Sequence, residues 1–171
     1  NQFETNILDS VHAYQLHITD ETRLKGLPEH ALHAALALAK EKGLPGWILT
    51  LEYPCYSAVI THADDRLLRE ELYIAFATRA SDQGPFAGQY DNTLVMEEML
   101  SLRHEKSQLL GFSNYAELSV ATKMAESTQD VLRFLTDLSN RAHPQAKVEI
   151  DNLQTFAAEE LNLPELAPWD I

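Results

Sequence analysis

A helix, a glycine-containing loop and a second helix follow one another directly in the middle of this 171-residue chain, and that succession limits the folds open to the rest. Asp64 and Asp65 offer carboxylates at a helix start, and Leu68, Leu72, Ala75, Phe76 and Arg79 then recur at helical spacing, which predicts an amphipathic helix over 65–80. Asn92 is the N-cap candidate of the next helix. Its predicted apolar face is Val95, Met99, Leu102 and Leu109 or Leu110, and Gly111 stops it at the left-handed position that helix ends favour. Between the two, Ser81 to Asp91 carries Gly84, Pro85 and Gly88 among acidic and aromatic neighbours. A loop of this length and composition between strong helices predicts a functional or interfacial role rather than a spacer.

Three places could carry chemistry. His104-Glu105-Lys106-Ser107-Gln108 approaches the zinc signature H-E-x-x-H, in which two histidines one helical turn apart grip the metal and the glutamate activates water. The fifth position is Gln108, whose amide is a poor substitute for imidazole, so His104 and Glu105 are read as solvated helix surface. The weakest functional reading, a small metal-dependent hydrolase, would need those two plus a distant ligand. His30 and His33 are three apart on one helix, close to metal spacing, but no acidic or thiol ligand nearby completes a set, and they are read as an exposed polar face. Cys55 is alone, which excludes an internal disulfide and agrees with a reducing compartment. In YPCYSAVI its thiol is read as a small buried hydrophobe rather than a nucleophile.

The remaining elements are mostly helical. Phe3, Ile7, Val11 and Tyr14 predict an opening helix. The alternation of Leu16 and Ile18 against Gln15 and His17 predicts a strand over 14–19, and Trp47 to Glu52 predicts another over 47–52. Neither strand can satisfy its backbone alone, so the two are paired as an antiparallel ribbon packed on helices. Pro28 and Gly43 bracket an alanine-rich helix in which Leu32, Leu36 and Ala39 face inward. Pro54 opens a helix over 54–62. Ser113 or Asn114 caps one over 114–122, and Ser127 or Thr128 starts a longer one with Val131, Phe134, Leu135 and Leu138 as its buried stripe. Pro144 predicts one bent helix or two stacked end to end, continuing through Val148, Leu153, Phe156, Ala157 and Leu161. The expected fold is mainly α, a multi-helix bundle with a small ribbon, in one unit over 1–171. The tail LNLPELAPWDI loses the helical period, and Trp169 and Ile171 lack an evident core, which reads as a cut within a larger protein.

With 13 basic against 26 acidic side chains, the net charge of −13 repels phosphate backbones and anionic lipid, so neither nucleic acid nor membrane is expected as a partner. No apolar run approaches the roughly 20 residues of a membrane span. The start NQFETNILDS lacks a basic-then-apolar leader, and a cytoplasmic location is expected.

TRASDQG (78–84), VMEEMLSLRHEKSQLLGFSNYAELSVATKMA (95–125) and PWDI (168–171) together resemble the helical region of the thimet oligopeptidase and neurolysin family of zinc metallopeptidases. The likeness is collinear and covers essentially the whole chain. It implies a helical, channel-wall fragment of a cytosolic oligopeptidase that hydrolyses short peptides, with zinc in the parent and none in this portion. The family's H-E-x-x-H helix and its third zinc ligand, a downstream glutamate, lie beyond these residues. Catalytic and metal residues in this chain are therefore expected to be none, and the substrate-binding residues stay unassigned. The portion would be inactive alone, and its partners would be the missing catalytic half and, through exposed apolar surface, copies of itself. The alternative is a free-standing helical module that binds a peptide or partner helix.

Overall fold

The structure is a computed structural model describing residues 1–171. Its elements are α1 (Gln2–Ala13), β1 (Gln15–Ile18), α2 (Glu29–Glu41), β2 (Trp47–Thr50), α3 (Tyr53–His62), α4 (Arg66–Ala77), α5 (Thr93–Leu109), α6 (Tyr115–Val120) and α7 (Thr128–Glu160). Short 3-10 turns lie at Glu21–Leu24 and Pro168–Asp170. The fold is mainly α with one two-stranded antiparallel ribbon, as the sequence pattern predicts. The chain forms two compact units, one of Asn1–Met96 with Ala167–Ile171 and one of Glu97–Leu166.

In the first unit β1 pairs with β2 from Gln15 opposite Thr50 to Ile18 opposite Trp47. The ribbon is shorter than predicted at its ends, but its alternation holds: Ile18 is buried while Gln15 and His17 are exposed. Gly46, at φ +85°, makes the close return possible, since a Cβ there would stand 2.3 Å from the Ile18 carbonyl oxygen. Ile18 and Leu49 from the ribbon meet Val59 of α3 and Leu68, Leu72 and Ala75 of α4 in one hydrophobic cluster. Each fully buried leucine there contributes about 1.5–3 kcal/mol. Helix starts follow the predicted chemistry: the Asp65 carboxylate accepts from the Leu67 and Leu68 amides at the head of α4. In α2 the buried face is Ala35 and Ala39, with Leu32 and Leu36 only partly covered.

Asn92 departs from expectation. Its carbonyl accepts the Met96 amide, but its side chain does not cap α5. It is turned into α1, where Nδ2 donates to the Phe3 carbonyl at 3.1 Å and Oδ1 accepts from Asn6 at 2.8 Å. The neighbouring Asp91 instead takes the Thr93 amide and hydroxyl.

In the second unit α5 ends in a Schellman motif: the Phe112 amide reaches the Ser107 carbonyl, the Gly111 amide reaches that of Gln108, and Gly111 stands at φ +81°. Asn114 caps α6 and Ser127 caps α7. The bend or break expected at Pro144 resolves as one continuous helix of 33 residues with the proline inside. The buried stripe predicted for α7 is corrected, and the apolar face of α5 is likewise left open. Phe134, Leu135 and Leu138 are 66%, 51% and 52% exposed, and on α5 Leu102, Leu109 and Leu110 are exposed as well. Periodicity marks the side of a helix fit for burial, whereas burial itself requires an opposing element. Along α7 the buried residue is Ala157, where the chain returns to set the Leu163 amide on its carbonyl.

Candidate functional site

The Ser81–Asp91 loop is held from both sides by its own composition. α4 ends sooner than predicted, at Ala77, and Ala80 adopts the left-handed φ of 52°. The Ser81 hydroxyl donates to the Thr78 carbonyl and accepts the Gln83 amide, while the Asn92 amide closes the loop onto the Ala80 carbonyl. Gly84, at φ +77°, passes so close to Thr78 that a Cβ would stand 1.9 Å from its hydroxyl oxygen. Phe86 meets Tyr14 edge-on at 6.5 Å and Tyr90 at 5.7 Å, so the loop packs onto the start of β1. Tyr14, Leu16, Glu71, Ile74, Gly84 and Pro85 border a groove of about 400 Å³ there. Burial, with the Glu71 charge adding, pushes the Tyr14 hydroxyl up to about 12, so it stays a neutral hydrogen-bonding group.

Beside this loop stands a tower of three side chains. Tyr56 of α3 and Phe76 of α4 stack at 3.8 Å and 10°, and the Arg79 guanidinium carbon lies 3.3 Å over the Phe76 ring. Arg79 Nε and Nη1 are buried without a hydrogen-bond partner.

The C-terminal turn packs on the same helix. Asp170, whose side chain is 2% exposed, accepts from Arg66 Nε and Nη2, from Arg69 Nη2 and from the Ala167 amide. Arg69 Nε also holds the Trp169 carbonyl at 2.9 Å. Hydrogen bonding from Arg66 above all, reinforced by the Ala167 amide and Arg69 against the opposing effect of burial, brings the Asp170 carboxyl down to about 2. Trp169, expected to find no core in this chain, lies 5.7 Å from Tyr73 and under Arg66, with its indole N–H buried and unpaired. The sequence singled out PWDI but gave no sign of its partners, which are about a hundred positions away.

The three sequence candidates lie apart. His104 and Glu105 are on the exposed face of α5. The Gln108 amide, at the position of a second imidazole, donates instead to the Phe112 and Ser113 carbonyls at 3.3 and 2.9 Å, finishing the helix end. His33 is at the surface 3.8 Å from Glu29, whereas His30 borders a cleft of about 320 Å³ that it shares with Cys55. The Cys55 sulfur accepts the Thr50 amide, and burial pushes its thiol pKa up, away from nucleophilic use. No three of the chain's histidine, cysteine, aspartate and glutamate side chains converge where a metal could be held, so these donors do not fit a zinc centre.

The chain belongs to peptidase family M3, whose model matches residues 59–171. It is similar over all 171 residues to Oligopeptidase A of Escherichia coli strain K12, at 55% identity, and to that of Haemophilus influenzae, at 52%. A match at 37% identity joins it to a probable cytosolic oligopeptidase A of Arabidopsis thaliana. Each alignment takes in the whole of this chain and 25% of the relative, so the chain spans about a quarter of the length of the curated relatives it matches. The resemblance carried by residues 78–84, 95–125 and 168–171 is thus a family relationship. No helix is long and apolar enough to cross a membrane.

Proposed function

We propose that this chain serves as the non-catalytic helical part, over 1–171, of a zinc-dependent cytosolic oligopeptidase, shaping the channel in which short peptides are cut. The observation that carries this reading is the collinear match to Oligopeptidase A, 55% identical along the entire chain, joined to a donor set unfit for zinc. The reaction needs an ion and a general base, and both belong to the remainder of the longer protein. Helices contribute shape and exclusion: a narrow passage admits extended peptides and refuses folded proteins. The anchored loop at 81–91 and the groove beside Tyr14 are suited to form part of its lip.

The uncovered apolar faces of α5 and α7 support the same reading. Leu100, Leu109, Phe134 and Leu138 are more than half exposed, and relatives four times as long contain further chain to cover them. Lacking it, the 171-residue chain self-associates.

A quenched-fluorescent oligopeptide incubated with the purified chain and added zinc tests the proposal. The expected result is no turnover above buffer. Chelator-sensitive hydrolysis that co-purifies with the chain and disappears in His104→Ala would replace this reading with that of a small metallohydrolase.

A further inference from the structure

β1 has a strand beside it on one side only, since the ribbon consists of β1 and β2. Which of its backbone groups face the other side follows from β2. The Thr50 amide donates to the Cys55 sulfur, away from β1, so the pair Gln15 and Thr50 exchanges no backbone bonds. By the alternation of an antiparallel ladder, Leu16 with Leu49 and Ile18 with Trp47 make the exchanges. The N–H and C=O groups of Gln15 and His17 therefore point outward, where no group of the chain bonds them. Both residues are exposed, and the His17 ring is drawn to the β2 side, its Nε2 donating to the Pro45 carbonyl at 2.6 Å.

Beside this free edge runs the groove of about 400 Å³, a volume in the range of ligand-holding pockets. Leu16, Ile74 and Pro85 give it an apolar lining, and Glu71 gives it a charge. Arg23 takes Oε2 of that carboxylate, Oε1 bonds nothing, and the side chain is 42% exposed. Successive side chains of a strand alternate between faces, so in a strand laid against β1 the residue opposite Leu16 points, with Leu16, into the groove. A second copy of the chain would bring its own net charge of −13 to this acidic wall. A basic segment meets no such repulsion.

We propose that the outer edge of β1 takes up an extended, basic segment of polypeptide as a third strand of the ribbon, with an apolar side chain beside Leu16 and a lysine or arginine at Glu71. Main-chain bonds to Gln15 and His17 hold the segment, and its inward side chains decide which sequences are held. The site stands on the free edge and needs nothing from the peptidase reading, so the outcome of a turnover assay with zinc leaves it untouched.

Amide exchange and nitrogen-15 spectra of the 171-residue chain test it. In the chain alone, the Gln15 and His17 amides should exchange fast and those of Leu16 and Ile18 slowly. The peptide acetyl-Thr-Leu-Thr-Lys-Thr-amide, which sets leucine and lysine on one face and threonines on the other, is expected to shift the Gln15 and His17 signals to saturation and to slow their exchange. Only every second amide of a strand faces its neighbour, so methylating the nitrogen of the leucine or of the central threonine should give unequal results. One should weaken binding about tenfold and the other leave it unchanged. Glutamate in place of the lysine should weaken it too. Gln15→Pro removes an outward donor without touching the bonds to β2, and Tyr14, at ψ 125°, already has the backbone that a following proline requires. That variant should keep its fold, read from unchanged α4 signals, and lose the peptide. Slow exchange at Gln15 and His17 in the free chain, equal effects of the two methylations, undiminished binding of the glutamate peptide, or full binding by folded Gln15→Pro overturns the proposal. So do shifts that follow the concentration of the chain and not that of the peptide, which assign the edge to a second copy. If Gln15→Pro does not fold, the methylated peptides and the wild-type chain decide.

Discussion

Asp170 shows how one carboxylate can depend on distant partners. Its folded pKa of about 2 lies below its ordinary 3.8, so its contribution to stability is complete above the ordinary value and is lost as pH falls from there towards 2. Acid unfolding of the wild-type chain should therefore include a component in that window that Asp170→Asn lacks. At neutral pH the same variant should lose about 1–3 kcal/mol, measured by denaturant unfolding; Arg66 remains partly solvated, which tempers the figure. Asn92→Ala should cost about 1–2 kcal/mol, because it removes the bonds that Asn92 makes with the Phe3 carbonyl and the Asn6 side-chain amide. Faster amide exchange in α1 would be the accompanying sign. Neither role could be read from the chain beforehand. Asn92 before a helix fits a cap by local chemistry, and only the approach of α1 reveals that its amide is used elsewhere.

Helices, strands and their ends were largely legible because their causes are local. Asp65, Asn114 and Ser127 cap as their side-chain chemistry requires, Gly111 ends α5 as its lack of a Cβ allows, and Leu16 and Ile18 alternate as a half-buried strand must. What failed was the inference from stripe to burial in α7, since covering a stripe takes something outside the helix. The exposure of His104 agrees with its reading as solvated helix surface, whereas the buried, unpartnered nitrogens of Arg79 depend on where distant acids end up. Pro144 gives this level its own prediction. It withholds an amide from the Asn140 carbonyl and strains the turn before it, yet the helix continues. Pro144→Ala should stabilise α7 by about 1–3 kcal/mol and increase helical circular dichroism. A loss of stability would mean that the proline serves a packing role.

For the chain as a whole, apolar surface governs behaviour in solution. Light scattering should give a mass that grows with concentration, and replacing Phe134 and Leu138 with glutamate should return it to that of a monomer, with little change in stability because both side chains are already exposed. The clasp of Asp170 on Arg66 and Arg69 has a different consequence. The residues following α6 include the wholly exposed Met124 and belong to no helix or strand, so they invite a protease. A nick there would separate the polypeptide into two pieces, yet the tail of the second would remain seated on α4 of the first. The pieces should migrate together on a sizing column at neutral pH and come apart in acid, so that one buried carboxylate substitutes for a severed peptide bond.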